Sequence, residues 1–373
     1  MNNKKKILFF IPSLSTGGAE RVLINLVHKL ACFSNLHIIV VTLFKDSGKL
    51  PDNVTYAYVF PKKFRGNVHL LKLLPASWLY RMFFDRYGKV DVAISYLQSP
   101  TMRIVAGCPD KNVRLINWIH NEFHTDSSLV KLFRSHTEFK SLMMRYNKHI
   151  FVAQSAKDAF CKWCDYIPKE RMAVIYNVND YSQILTKSNE RVEDGVFDKD
   201  SFNIISCGRF TAQKAFDRLI DICSLLVKEG LNVHLYLLGK GGLEGAYREQ
   251  ISRLAVEDNV SIMGFQSNPF KYMKAADLFV CSSIHEGYST AVTESLVVGT
   301  PVVTTLCSGM VELLGAYNEY GIITENDKES LYVAVKQMIS DKSMYARYKS
   351  ATQAKKVELL NADNVTPVIN LFN

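Results

Sequence analysis

The sequence predicts an α/β protein of two doubly wound domains, and three observations carry that prediction. Short, continuously apolar runs alternate with amphipathic helical patterns. The alternation stops over a polar, charge-rich stretch at residues 176–201, and then resumes in the same style. Runs with no polar face suit strands covered on both sides, so the sheets should be parallel. Strand–helix alternation is the doubly wound pattern. A length of 373 residues fits two domains of ordinary size, and 48% hydrophobic with 22% charged residues describes a globular chain with sizeable cores.

In the first half, KKILFFIPSL reads as a strand. AERVLINLVHKLA follows as a helix with Val22, Leu23, Leu26, Val27 and Leu30 on one face. LHIIVVTLF, VDVAISYL, VRLINWIH and KHIFVAQS continue as strands. The polar stretch sets the boundaries: a first domain at 1–178, a linker at 179–201, a second domain at 202–355 and a C-terminal segment at 356–373. The second series holds the strands FNIISC, VHLYLLG, NVSIMGF, ADLFVCSS and TPVVTT, with helices through AFDRLIDICSLLVKEG and LEGAYREQISRLAVE. Two such domains are expected to face each other across a central cleft, where folds of this kind bind ligands.

Composition narrows the classes of function. The start MNNKKKILFF has the charge of a secretory signal, but its apolar run is short, holds Pro12 and lacks a small-x-small cleavage site. No run approaches the roughly 18–20 apolar residues that span a bilayer. The eight cysteines are scattered; Cys161 and Cys164 are a close pair with no second pair to complete a zinc site. Reduced thiols and a cytoplasmic location are expected. The net charge of +9 favours anionic partners without choosing among them.

Candidate chemistry clusters at strand-to-helix junctions. In SLSTGGAER, Gly17 and Gly18 can bring backbone N–H groups close to an anion at a helix start, or can simply make a tight turn. The spacing is not G-x-G-x-x-G, so a dinucleotide oxidoreductase is not indicated. In GRFTAQKAFDRL, Arg209 and Lys214 flank the corresponding junction of the second half. A guanidinium fork and an ammonium there suit a diphosphate, and equally suit a solvated surface. LLGKGGLE is a third glycine-rich strand end. His120 closes the strand LINWIH, either as a structural residue or at the first domain's ligand edge.

The most informative stretch is HEGYSTAVTESLVVGTP, residues 285–301. Glu286 precedes a helix that Ser289 or Thr290 can cap, Glu294 lies about one turn inside it, and Gly299 ends it. TAVTESLVVG is nearly all small or apolar, so the helix should be buried. A buried carboxylate needs partners, and ligand hydroxyls are good ones.

These pieces together resemble the retaining GT-B glycosyltransferases of family 4. The resemblance runs through GGAER, WIHNE, IFVAQSAKDAF, VIYNVND, GRFTAQKAFDRLI, LLGKGG, SGMVELL and the long segment GFQSNPFKYMKAADLFVCSSIHEGYSTAVTESLVVGTPVV. It implies a GT-B fold of two Rossmann-like domains, the first binding acceptor and the second a nucleotide sugar. Within E-x7-E, Glu286 would bind hydroxyls of the donor sugar and Glu294 the ribose. Backbone N–H groups of Gly287, Tyr288 and Ser289 would lie near the phosphates. Arg209 and Lys214 would neutralise the leaving diphosphate, which a metal does elsewhere, so no metal or other cofactor is expected. Gly17 and Gly18 would contact the donor, His120 the reacting sugar, and Phe265 and Gln266 the base. The two glutamates would hold the donor and would not act as the paired acid and nucleophile of a retaining glycosidase. Uridine diphosphate is the nucleotide the family favours. Two departures, Ser295 after Glu294 and Tyr288–Ser289 after Glu286, touch the donor site.

The resemblance further implies a saccharide acceptor, lipid-linked, in surface polysaccharide synthesis at the inner face of the cell membrane, with no nucleic acid partner. Residues 61–89 interleave basic residues with Leu, Trp, Tyr and Phe. They read either as a surface lying on anionic lipid or as a helix packed on the first domain and broken at Pro75. The final segment is expected to cross back to the first domain. An Asp198-Lys199-Asp200 pattern falls in the polar linker and carries little weight as a metal site. The rival functions are a nucleotide-sugar epimerase of the same fold and a non-catalytic nucleotide-sugar binding protein.

Overall fold

Each run read as a strand becomes a parallel strand in the computed structural model, which describes residues 4–15, 17–46, 48–122, 130–193 and 196–373. The chain forms two units, Met1–Asn179 together with Asp363–Asn373, and Asp180–Ala362.

The first unit begins with β1 (Lys5–Ile11), α1 (Gly18–Leu30), β2 (Leu36–Phe44), β3 (Thr55–Phe60), α2 (Asn67–Leu73) and α3 (Ala76–Phe84). It continues with β4 (Val92–Ser95), α4 (Pro100–Ala106), β5 (Arg114–Ile119), α5 (His136–Met143), β6 (Lys148–Phe151), α6 (Gln154–Trp163) and β7 (Met172–Val174). The seven strands lie in the order β3-β2-β1-β4-β5-β6-β7, all parallel. Ile7 to Ile11 are fully buried, as a central strand covered on both faces requires. On α1 the buried residues are Val22, Leu23, Leu26, Val27 and Leu30, the face expected from the helical period.

Pro75 separates α2 from α3, and α3 packs Ala76, Leu79, Tyr80, Phe83 and Phe84 inward. Its outer side leaves Trp78 and Met82 exposed, and α2 leaves Leu70 and Leu73 exposed. The hairpin is braced through the last carbonyls of α2, which a helix leaves without intrahelical donors. Buried Arg103 donates to Leu71 O and Leu74 O, both at 2.8 Å, and pairs with Glu138 at 2.8 Å. Arg134 donates to Lys72 O at 3.0 Å and Leu73 O at 2.6 Å.

The second unit comprises α7 (Tyr181–Ser188), β8 (Phe202–Cys207), α8 (Phe216–Lys228), β9 (Val233–Leu238), α9 (Glu244–Leu254), β10 (Val260–Gly264) and α10 (Phe270–Ala275). Then come β11 (Leu278–Cys281), α11 (Thr290–Val298), β12 (Val302–Thr305), α12 (Met310–Leu314), β13 (Ile322–Thr324), α13 (Lys328–Ser340) and α14 (Lys342–Asn361). Its strands run in the order β10-β9-β8-β11-β12-β13, again all parallel.

Residues 179–201 are not a bare connector. They hold α7, whose Ile184 is buried with Phe270, Met273, Val292 and Leu296. Polar ties add to this: Asn268 Nδ2 donates to Lys187 O at 2.9 Å, and Lys271 pairs with Glu193 at 2.7 Å. Asp198 is spent on a local turn, accepting from Asp200 N at 3.0 Å and from the Ser201 hydroxyl. Residues 194–195 lie outside the described residues. At the C-terminus, α14 stays with the second unit, and only Asp363–Asn373 joins the first. That returning piece forms α15 (Thr366–Phe372), with Val368 and Phe372 buried.

Candidate active site

In the second sheet the strand order reverses between β8 and β11, which pair directly through Ile204–Leu278 and Ile205–Phe279. Crossovers leave these two strands in opposite directions, so the loops beyond their carboxyl ends frame a crevice. The loop after β8 and the loop after β11 are zipped together there. Ile284 N donates to Gln213 O at 2.8 Å, Gln213 Nε2 to His285 O at 2.9 Å, and Ser282 Oγ to Lys214 O at 2.8 Å. Ala215, a non-glycine residue at φ 48°, turns the chain from Lys214 into α8. That left-handed conformation costs about 1–2 kcal/mol, a strain typical of ligand loops.

The zipper brings Lys214 and Glu286 into direct contact. Lys214 Nζ lies 2.6 Å from Glu286 Oε1, and Ser283 Oγ donates to the same oxygen at 2.6 Å. Glu286 is only 8% exposed. Burial alone would lower the pKa of Lys214, but Glu286, with Cys281 and Cys207 nearby, outweighs it and holds the ammonium above its usual range. With Glu286 buried and Lys214 half-buried, the pair is partly shielded from water at the mouth of the crevice.

Next to it stands α11. Ser289 caps it by accepting from Val292 N at 3.4 Å, and Gly299 ends it in the left-handed conformation at φ 87°. Every residue from Val292 to Val298 is buried, and Glu294 is 5% exposed. Gly287 and Ser289 are buried and Tyr288 half-buried, so the backbone at the start of α11 is presented from a fixed loop. The loop after β12 supports it from behind: a Cβ on Gly309 would stand 2.7 Å from Gly287 O. A helix start of this kind favours an anion.

Arg209 is exposed and has no side-chain partner among the described residues. Its position depends on the glycine-rich LLGKGG strand end, which fits against the backbone on either side of it. A Cβ on Gly239 would lie 1.8 Å from Gly208 O, and one on Gly241 would lie 2.4 Å from Phe210 O. Phe210 N also donates to Lys240 O at 3.0 Å. Phe265 projects outward, 64% exposed, with Lys240 Nζ 5.1 Å from its ring centroid. Gln266 instead turns inward on its own loop and donates to Met263 O at 2.8 Å.

The remaining candidates belong to the first unit. Gly17 is the N-cap of α1, and Glu20 folds back over it. His120 follows β5 and is buried, and burial pushes its pKa down to about 3, so the imidazole is neutral at physiological pH. It packs on Tyr96 at 4.7 Å between centroids. His120 Nε2, Tyr96 OH and Trp118 Nε1 are buried without a hydrogen-bond partner among the described residues. Among the described residues no cluster of His, Cys, Asp or Glu could hold a metal, and all eight cysteines are free.

The structure thus joins Lys214 to Glu286 and sets both beside the α11 start in one unit, with Gly17, Gly18 and His120 in the other. Sequence reasoning missed Gln213, Ser282 and Ser283. They carry no motif, because their roles arise only when two loops 72 residues apart meet.

Comparison with known proteins adds a second line of evidence. The family described as "Glycosyltransferase Family 4" matches residues 16–183, and "Glycosyl transferases group 1" matches residues 187–355. A Campylobacter jejuni relative is 28% identical over 360 residues, covering 94% of each chain. It is named N-acetylgalactosamine-N,N'-diacetylbacillosaminyl-diphospho-undecaprenol 4-alpha-N-acetylgalactosaminyltransferase. A Rhizobium meliloti relative, lipopolysaccharide core biosynthesis glycosyltransferase LpsE, is 28% identical over 48% of this chain and 51% of its own length. Among solved structures, Anabaena Alr3699/HepE in complex with UDP-glucose aligns with a TM-score of 0.72 at 20% identity, covering 98% of each chain.

Proposed function

Because the chain belongs to the group 1, family 4 glycosyltransferases and has their GT-B architecture, we propose a retaining sugar transfer to a lipid-linked saccharide in surface polysaccharide assembly. The donor would be a nucleoside diphosphate hexose or N-acetylhexosamine, with uridine diphosphate as nucleotide. The observation that carries this proposal is the partly buried Lys214–Glu286 pair at the switch point, beside the capped start of α11. The Campylobacter relative's name, with its undecaprenol-linked acceptor, supports the acceptor class.

The chemistry follows from the charges. As the bond from the anomeric carbon to the diphosphate breaks, negative charge builds on the leaving oxygen. Lys214, Arg209 and the N–H groups of 287–289 answer it, already placed once the donor has bound. The diphosphate takes over Lys214, and the donor's hydroxyls replace the ammonium as partners of Glu286. Glu294 holds the ribose, and Phe265 offers an exposed face to the base. The acceptor oxygen bonds to the anomeric carbon on the face the diphosphate leaves, and its proton passes to the departing phosphate. Fixed cations supply the charge that a metal supplies in other transferases.

On the first unit, the exposed side chains of Leu70, Leu73, Trp78 and Met82 stand among Lys62, Lys63, Arg65 and Arg81. That mixture supports peripheral contact with anionic lipid at the inner face of the membrane. No described helix is long and apolar enough to cross it. The orphan polar atoms around His120 support a hydroxyl-rich ligand on the first unit.

A panel of nucleotide sugars, incubated with a polyprenyl diphosphate-linked saccharide in anionic liposomes, tests the proposal. Free nucleoside diphosphate should appear only when both substrates are present. Isomerised nucleotide sugar from donor alone would make the protein an epimerase, and binding without turnover a non-catalytic carrier.

A further inference from the structure

One side chain outside every motif discussed so far ties the site together from behind. Asn326 follows the edge strand β13 and sends its amide into the loops after β12 and β11. Nδ2 donates to Ile284 O at 2.8 Å and Leu306 O at 3.1 Å, and lies 3.4 Å from Ser283 O. Its Oδ1 accepts from Arg218 Nη1 at 2.9 Å. Arginine can only donate and carbonyls can only accept, so this amide has a single orientation. Arg218 sits in the first turn of α8, the helix that Lys214 leads into.

We propose that Asn326, oriented by Arg218, is a positioning residue that holds the Glu286 loop in register with Lys214. The brace spans the loops after β11 and β12, the segment after β13, and α8. It acts on Glu286 through a short relay. Ser283 Oγ bonds Glu286 Oε1 at 2.6 Å, and Ser283 O is fixed by Thr305 Oγ1 at 2.6 Å as well as by Asn326. Without the amide, the carbonyls of Ile284 and Leu306 lose their shared donor, and the loop bearing Glu286 is free to move from the ammonium. Arg218 and Lys214 share one helix start, so the brace registers both partners against the same element. The inference rests on the donor-site reading of Lys214 and Glu286 for its functional consequence, but the brace itself can be tested without any substrate.

The test is the acylation rate of Lys214 by acetic anhydride, read by peptide mass spectrometry against exposed Lys199. Asn326→Leu keeps the size and neutrality of the residue while removing its donors. Freed from Glu286, the half-buried ammonium loses the charge that holds its pKa up, so more of it is reactive free amine at a given pH. Asn326→Leu should therefore label several-fold faster than wild type, approaching the rate of Glu286→Gln. Arg218→Leu, which lets the amide turn, should fall in between, and Arg218→Lys, which keeps a donor, should stay near wild type. In the transfer assay Asn326→Leu should lower kcat and leave the acceptor KM unchanged. Wild-type labelling in both Asn326→Leu and Arg218→Leu, with unchanged melting temperatures, would overturn the brace whatever the activity. Faster labelling in a chain that transfers no sugar would sustain the brace and overturn only the proposed function.

Discussion

Lys214 and Glu286 meet at 2.6 Å across 72 residues of sequence, one from the loop after β8 and the other from the loop after β11. Each satisfies a charge the other would leave stranded. Lys214 is half-buried and Glu286 buried, so removing one partner should cost less than the about 3–5 kcal/mol of a fully buried pair, and most where the buried carboxylate is the survivor. Lys214→Met should therefore lower the melting temperature more than Glu286→Gln, whose amide still accepts from Ser283. Both should lower kcat/KM by about 100-fold or more. Calorimetry and steady-state kinetics on the two variants check the order.

Gly239→Ala and Gly242→Ala form a matched pair. A Cβ at Gly239 would stand 1.8 Å from Gly208 O, on backbone at φ +147°, whereas one at Gly242 meets nothing within 4 Å. The first should displace the Arg209 loop and weaken nucleotide binding; the second should behave as wild type. Nucleotide affinity measured on both separates a ligand role for this strand end from a supporting one.

Much of this was legible beforehand for physical reasons. Fully buried strands such as Ile7–Ile11 read as unbroken apolar runs, and α11 ran from its serine cap to its glycine stop as the pattern indicates. Three of the four edge strands did not read so well, β10 being the exception. β3 has no buried residue, being half-buried or exposed along its length, and β7 and β13 are three residues each, too short to show a period. Helix α7 hid in a polar stretch because it buries only Ile184 and Ser188. Lys214 and Glu286 stood out as charges near helix starts. Asn326 and Arg218 could not, since a single amide bridging elements 108 residues apart leaves no local pattern.

Ser289→Ala removes the oxygen that accepts from Val292 N. The expected loss is about 1 kcal/mol, while Ser289→Gly should cost only a few tenths. Denaturant unfolding of the two variants should give that ranking.

His120 and His149 are both buried and pushed down to about 3 from 6.5, mainly by desolvation. Below pH 6.5 the unfolded chain binds protons that the folded imidazoles refuse. Stability from these groups is therefore complete above about pH 6.5 and is lost progressively as pH falls toward 3, by up to about 1.4 kcal/mol per group per pH unit. Unfolding midpoints between pH 7.5 and 5.5 should fall, and the slope should be shallower in His149→Phe.

The central claim is that Arg209, Lys214 and the start of α11 receive the diphosphate of a nucleotide sugar. Calorimetric titration with UDP, and in parallel with GDP, tests it most directly on wild type and on Arg209→Ala/Lys214→Met. Wild type should bind UDP in preference to GDP, and the double variant should bind UDP at least about 100-fold more weakly, as expected on losing two charge-assisted contacts. Equal affinity in the two proteins would contradict the account.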